Sequence, residues 1–159
     1  MGDNAKTTNA HDLQEAANLQ ARLSEYNNQA QTAAVAPKNS TFSDDAIPSV
    51  SIDDGAYKYV LITANTPSNR ARIFVYSKRN ASYHRDVAEY LLPQLEGEGY
   101  SEILIKGGGR ILRDEEEKRI HIFGYSYGFG QADHALAKEI VEKSVNFQGY
   151  KVTWSNDGY

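Results

Sequence analysis

The residues of this 159-residue chain that could do chemistry are placed at turns and helix starts. Ile120 to Gly130 reads Ile-His-Ile-Phe-Gly-Tyr-Ser-Tyr-Gly-Phe-Gly, an alternating strand that enters a turn holding Gly124, Gly128 and Gly130. Glycine lets the backbone bend with positive φ, so that successive N–H groups converge on an anion. A helical pattern follows from about Gln131, and its first N–H groups and dipole add to the same field. The stretch reads either as a phosphate seat or as an ordinary strand-to-helix loop with glycines for close packing. His134 falls in the first turn of that helix, and His84 in the first turn of an earlier one. The field at a helix start favours an uncharged imidazole able to take a proton, and it attracts an anionic substrate. A histidine in such a position is otherwise an ordinary surface residue.

Two cations extend this set. Lys58 shares a strand face with Val60 and Ile62, where its ammonium either snorkels to water or points into a site. Arg110 follows Gly107, Gly108 and Gly109, a triplet that signals a bulge or the close approach of another group to the backbone. Its guanidinium suits a phosphate or a carboxylate. His121, on a face with Arg119 and Phe123, reads as structural. A metal would need three or four convergent ligands, and the carboxylates show no matching spacing, so no metal and no cofactor is expected. With no cysteine in the chain, a thiol nucleophile, a thiolate zinc site and a disulfide framework are all excluded.

The elements that must position these residues are legible as alternations of period. Strands are expected at 56–63, 71–76, 101–106, 118–123 and 150–154, the first of them central because both its faces are largely apolar. An acidic turn at Asp114 to Glu117 closes a hairpin. A first helix is expected from an N-cap at Asn80 or Ser82 to about Glu96, burying Val87, Tyr90, Leu91 and Leu95 and kinked at Pro93. A second runs from Gln131 to Val145 with Ala135, Leu136, Ile140 and Val141 toward the core.

Residues 1–50 are of different material. They are rich in Ala, Asn, Gln, Ser and Thr, with six acidic and three basic side chains. Such a segment buries too little to offset its ordering entropy, so residues 1–46 are expected to be a largely disordered tail. A transient helix is expected within it, with Asp12 and Glu15 at capping-box spacing and Leu13, Ala16, Ala17, Leu23 and Tyr26 on one side. Pro37 and Pro48 bracket the linker. The remainder is close to neutral, without the basic stripe of a nucleic-acid binder. Apolar runs fall short of a membrane span and the N-terminus lacks a signal-peptide layout, so a cytoplasmic monomer with no membrane or nucleic-acid partner is expected.

The ordered run of Ile47-Pro48, Ile52-Asp53, Tyr57-Lys58-Tyr59-Val60-Leu61-Ile62, Tyr83-His84, Gly107-Gly108-Gly109-Arg110-Ile111, Ile120-His121-Ile122, Gly124-Tyr125-Ser126, His134-Ala135 and Val152-Thr153-Trp154-Ser155-Asn156-Asp157-Gly158-Tyr159 resembles the 14 kDa phosphohistidine phosphatase family, also called Janus/Ocnus. The likeness covers residues 47–159. It implies one α/β domain, a mixed sheet of about six strands between two helices. The activity implied is removal of phosphate from phosphohistidine-containing proteins without a metal. It further implies His84 as proton acceptor, Lys58 as a substrate-binding cation and Ser126, Tyr127 and Gly128 as the phosphate loop. Arg110 and His134 lie near the site in that family. Where the family can carry an arginine eight residues before the active histidine, this chain has Tyr76, and Lys78 or Arg79 is a candidate substitute. A phosphate-dependent binding module that does not turn over, and a scaffold acting through its tail, are the readings from other classes.

Overall fold

The computed structural model describes residues 2–32 and 46–158, with side chains in the first segment described for residues 10, 11 and 13–29. Six strands form one mixed sheet: β1 (Val50–Ile52), β2 (Gly55–Asn65), β3 (Ala71–Ser77), β4 (Ser101–Asp114), β5 (Arg119–Phe123) and β6 (Lys151–Trp154). Their order across the sheet is β1-β3-β2-β4-β5-β6. The two outermost pairs run parallel and the three inner ones antiparallel. Three helices accompany them: α1 (Gly2–Thr32), α2 (His84–Gly97) and α3 (His134–Lys143).

The two apolar faces of β2 explain the layering. Val60 and Ile62 pack with Phe74, Tyr76 and Ile103 under Val87, Leu91 and Leu95 of α2. Tyr59 and Leu61, pointing the other way, pack with Val75, Ile111 and Ile122 over Ala137 and Val141 of α3. Each such side chain contributes roughly 1.5–3 kcal/mol by leaving water. The sheet is thus sandwiched between α2 and α3, as the family resemblance implies.

Helix starts differ from those expected. Asn80 adopts a left-handed φ of 65°, so it belongs to a turn, and α2 begins at His84. The Asp86 carboxylate accepts the Tyr83 N–H at 2.9 Å and closes the first turn. The helix continues through Pro93 to Gly97. α3 starts three residues later than expected because Asp133 caps it, accepting the Leu136 N–H at 3.0 Å. That start rotates the buried stripe: His134, Ala137 and Val141 face the core, Leu136 and Ile140 are half-buried, and Ala135 is exposed.

The N-terminal segment departs from an undocked tail. Within α1, Ala16, Leu19 and Leu23 are each about 1 % exposed, and the two leucines join the cluster beneath α2. Leu13 and Ala17, expected on that stripe, face solvent. The Asn27 amide bonds both ways to the Ile103 backbone, to O and from N, at 2.9 Å each. Tyr26 donates to Tyr100 O at 2.5 Å, Arg22 pairs with Glu96 at 2.7 Å, and Arg85 pairs with Glu15. What the composition understates is that a thin stripe suffices when polar side chains are satisfied on the partner surface. The helix already runs through residues 12–15, so Asp12 is not its cap. The linker at Pro37 lies outside the described residues. No described helix is long and apolar enough to cross a membrane.

Candidate active site

A bulge organises the site. In the β2–β4 ladder Leu61 pairs with Gly107 but Ile62 pairs with Ile105, so Lys106 is an extra residue on β4. Gly107, at φ 131°, has a conformation that L side chains rarely adopt. One extra residue reverses which way every later side chain points. Ile103 and Ile105 face α2 before the bulge, and after it Gly108 and Arg110 do. Lys58 pairs directly with Arg110, and Val60 with Gly108. Directly opposed residues share a face, which sets the Lys58 and Arg110 cations side by side under the start of α2. Among the described residues no carboxylate lies within ion-pair distance of Arg110, which leaves the guanidinium suited to an external anion.

His84, first residue of α2, is fully buried against this strand. Its Nε2 lies 2.9 Å from the carbonyl oxygen of Gly109. A carbonyl only accepts, so Nε2 carries the hydrogen and the lone pair of the neutral ring resides on Nδ1. A Cβ at position 108 would stand 2.9 Å from His84 Cδ2, 3.2 Å from Ser126 Cβ and 2.5 Å from the Tyr59 carbonyl oxygen. Glycine at 108 is therefore what allows the histidine and the glycine-rich turn to meet over the strand.

The turn is closed on itself. Ser126 N–H donates to Gly130 O at 3.1 Å and Gly130 N–H to Ser126 O at 2.8 Å, while Phe129 N–H donates to Ser126 Oγ at 3.0 Å. Gly108 N–H also reaches Gly130 O, at 3.0 Å, tying the turn to β4. The Ser126 amide is thus turned inward, and Tyr127 and Gly128 form the tip. Gly124 and Gly130, with φ of 75° and 90°, stand at the two ends.

His134 is not brought to this face. It lies against Gly109 on the α3 side, where a Cβ at 109 would stand 2.8 Å from its Cε1. Nε2 donates to Gly124 O at 2.7 Å, so Nδ1 accepts the Tyr59 hydroxyl hydrogen at 2.5 Å. Burial holds its pKa below the ordinary 6.5, against the opposing pull of the Gly124 carbonyl and Asp133. Burial, with Asp133 nearby, likewise holds the Tyr59 hydroxyl above its usual range. The pair supports the glycine strand from behind.

Of the candidate substitutes for the family arginine, Lys78 is engaged, while the exposed Arg79 guanidinium lies 4.0 Å from Asp53 and 3.4 Å from Asp54 O. Tyr76 is buried and donates to Pro48 O at 2.7 Å. Lys78 binds Ser51 Oγ at 2.8 Å and Asp53 at 3.2 Å, and the Arg79 amide binds the same carboxylate at 2.9 Å. Although burial opposes ionisation of Asp53, the Arg79 amide and Lys78 ammonium hold its pKa below 3.8. His121 sits away from His84, its Nδ1 at 2.8 Å from Thr153 Oγ1. Among the described residues no three His, Asp or Glu side chains are grouped as a metal cage requires. Sequence reasoning missed the Gly109 carbonyl and Tyr59. A backbone carbonyl has no residue-type signal, whereas Tyr59 could have been found from its alternation with Lys58.

Comparison with known proteins places the chain among relatives. The family model described as "Janus/Ocnus family (Ocnus)" matches residues 44–151. The 14 kDa phosphohistidine phosphatase of Sus scrofa is 37% identical over 121 residues, covering 71% of this chain and 93% of the relative. The protein of the same name from Homo sapiens is 36% identical over 120 residues, covering 71% and 94%. The sex-regulated protein janus-A of Drosophila melanogaster is 30% identical over 118 residues, covering 71% and 82%.

Proposed function

The chain belongs to the Janus/Ocnus family, and we propose that it is a protein phosphohistidine phosphatase that hydrolyses the P–N bond without a metal, using His84 as general base. The observation that carries this reading is the bond from His84 Nε2 to Gly109 O, which fixes the tautomer and leaves Nδ1 as the proton-accepting atom. Lys58 and Arg110 neutralise the phosphoryl oxygens, and the backbone of Tyr127 and Gly128 completes the seat. A phosphohistidine is labile once its imidazole is protonated on the nitrogen that does not carry phosphorus, so the enzyme need only hold the group and present water in line. The water oxygen bonds to phosphorus and gives one proton to Nδ1. The P–N bond breaks with its electron pair going to the bridging nitrogen of the substrate imidazole, whose other nitrogen carries a proton so that the ring departs neutral, and His84 Nδ1 then returns its proton to solvent.

His84 has no exposed surface in this conformation, so a phosphoryl group reaches it only when the chain around it parts. The 125–130 turn, whose Ser126 meets His84 over Gly108, is the segment this reading assigns to that motion. Gly124 and Gly130 are suited as the hinges, since both already sit in the left-handed region and tolerate large dihedral changes.

The test is phosphate release from a phosphohistidine peptide with and without EDTA. Wild-type turnover should survive chelation, and His84→Ala should lower kcat about 10²–10⁴-fold. Near-wild-type turnover by that variant removes His84 from the role. Acid-labile phosphate trapped on His84 would make it a nucleophile instead. Peptide binding without release would favour the phosphate-dependent binding module.

A further inference from the structure

α2 packs on β2, β3 and β4, so the same face of the sheet continues over β5 and β6 beyond its reach. There Leu112, Arg119, His121, Lys151 and Thr153 line a shallow depression of about 340 Å³. Arg119 and Lys151 are exposed and directly paired across the parallel β5–β6 ladder. Like charges set opposite each other destabilise a sheet. Among the described residues neither cation forms an ion pair; Asp114, directly across from Arg119, accepts the Glu117 N–H at 3.1 Å and offsets part of the Arg119 charge, while Lys151 has no carboxylate across the ladder. The His121 ring is fixed by Thr153 and stacks on Phe123 at 5.4 Å, giving the depression a rigid floor. Phe123 pairs with Arg110, which makes this strip continuous with the cations beside His84. From Gly108, against His84, to Leu112 is four residues of β4, roughly 13 Å at ~3.3 Å per residue.

We propose that this strip docks an acidic segment of the phosphoprotein substrate, with carboxylates three to five residues from the phosphohistidine meeting Arg119 and Lys151. The proposal rests on the phosphatase reading above and names what that site selects. Charge complementarity assigns the occupant: two exposed cations without an ion-pair partner among the described residues, on a firm, half-apolar floor, fit an extended acidic chain.

The test compares wild type with the double variant Arg119→Glu/Lys151→Glu on three substrates: phosphoramidate, a phosphohistidine peptide with Asp or Glu at those positions, and the same peptide with Ala there. Wild type should prefer the acidic peptide by about tenfold in kcat/KM at low salt, less at high salt, and the variant should lose that preference. Phosphoramidate, which spans the phosphate seat alone, should be turned over equally by both. An unchanged preference in the variant, or none in wild type, overturns the proposal. A concentration-dependent wild-type dimer abolished in the variant would assign the strip to a second copy and equally overturn it. If wild type hydrolyses none of the three substrates, the phosphatase reading itself fails and the docking proposal falls with it.

Discussion

His84 and His134 stand back to back across β4, the first ring 2.9 Å from where a Cβ on Gly108 would be and the second 2.8 Å from one on Gly109. Two histidines at two helix starts thus receive different tasks from their surroundings. Replacing His134 by Phe leaves the Tyr59 hydroxyl without its partner in the interior, at about 1–3 kcal/mol, whereas the Gly124 carbonyl keeps the Gln131 amide at 3.0 Å. Urea unfolding should show that loss, while kcat measured below the lowered melting range stays near wild type. His84→Ala should show the reverse pattern, with turnover falling far more than folding. A His134→Phe variant that is stable but inactive would contradict the division.

The depressed pKa of His134 gives stability a pH dependence of definite sign. Its folded value lies below 6.5, so the unfolded chain binds more protons at mildly acid pH. Its contribution is fully present above pH 6.5 and is lost as pH falls from there through the folded value, by at most about 1.4 kcal/mol per unit. Unfolding followed from pH 7.5 to 5.5 should show this slope in wild type and a flatter one in His134→Phe. Asp53, held below 3.8, acts in a separate window: its contribution is present above that pH and fades below it.

Gly108→Ala should be severe. Its methyl group would press on the Tyr59 carbonyl oxygen at 2.5 Å as well as on His84, and a backbone oxygen within a ladder has nowhere to go. A loss of at least about 2 kcal/mol is expected, together with displacement of the histidine and of turnover. Gly97→Ala is the matched control. It has nothing within 4 Å of its Cβ position, lies in the last turn of α2, and should be neutral or stabilising by about 0.5–1 kcal/mol.

Docking of α1 is tested by Leu19→Ala and Asn27→Ala. The leucine is fully enclosed and its truncation should cost about 2–5 kcal/mol, whereas an undocked helix would show almost no change. Loss of the Asn27 amide strands the Ile103 N–H and C=O and should cost about 1–3 kcal/mol. Thermal melts of both variants decide the matter.

The strands, the central place of β2 and the hairpin at Asp114 to Glu117 were legible because alternation and turn chemistry are local. Lys58, His84, Arg110 and the glycine turn were legible as candidates for the same reason. Their meeting was not. Simple alternation from Ile103 and Ile105 puts Arg110 on the α3 side, and only the extra residue at Lys106 carries it to His84. His134 looked equivalent to His84 because a first-turn position does not say which layer the helix belongs to. The docking of α1 rests on long-range pairings, Asn27 with Ile103 above all, that no local pattern encodes.

The complete enclosure of His84 turns the ring into a clock. An imidazole that reagent cannot touch until the chain parts will be carbethoxylated by diethyl pyrocarbonate at a rate set by how often it is uncovered. The chain has four histidines, and His11, exposed although its ring stacks on Tyr83 at 6.2 Å, supplies the accessible reference. Mass spectrometry of the His84 peptide against the His11 peptide would convert that ratio into an opening frequency, which phosphate in the seat should slow.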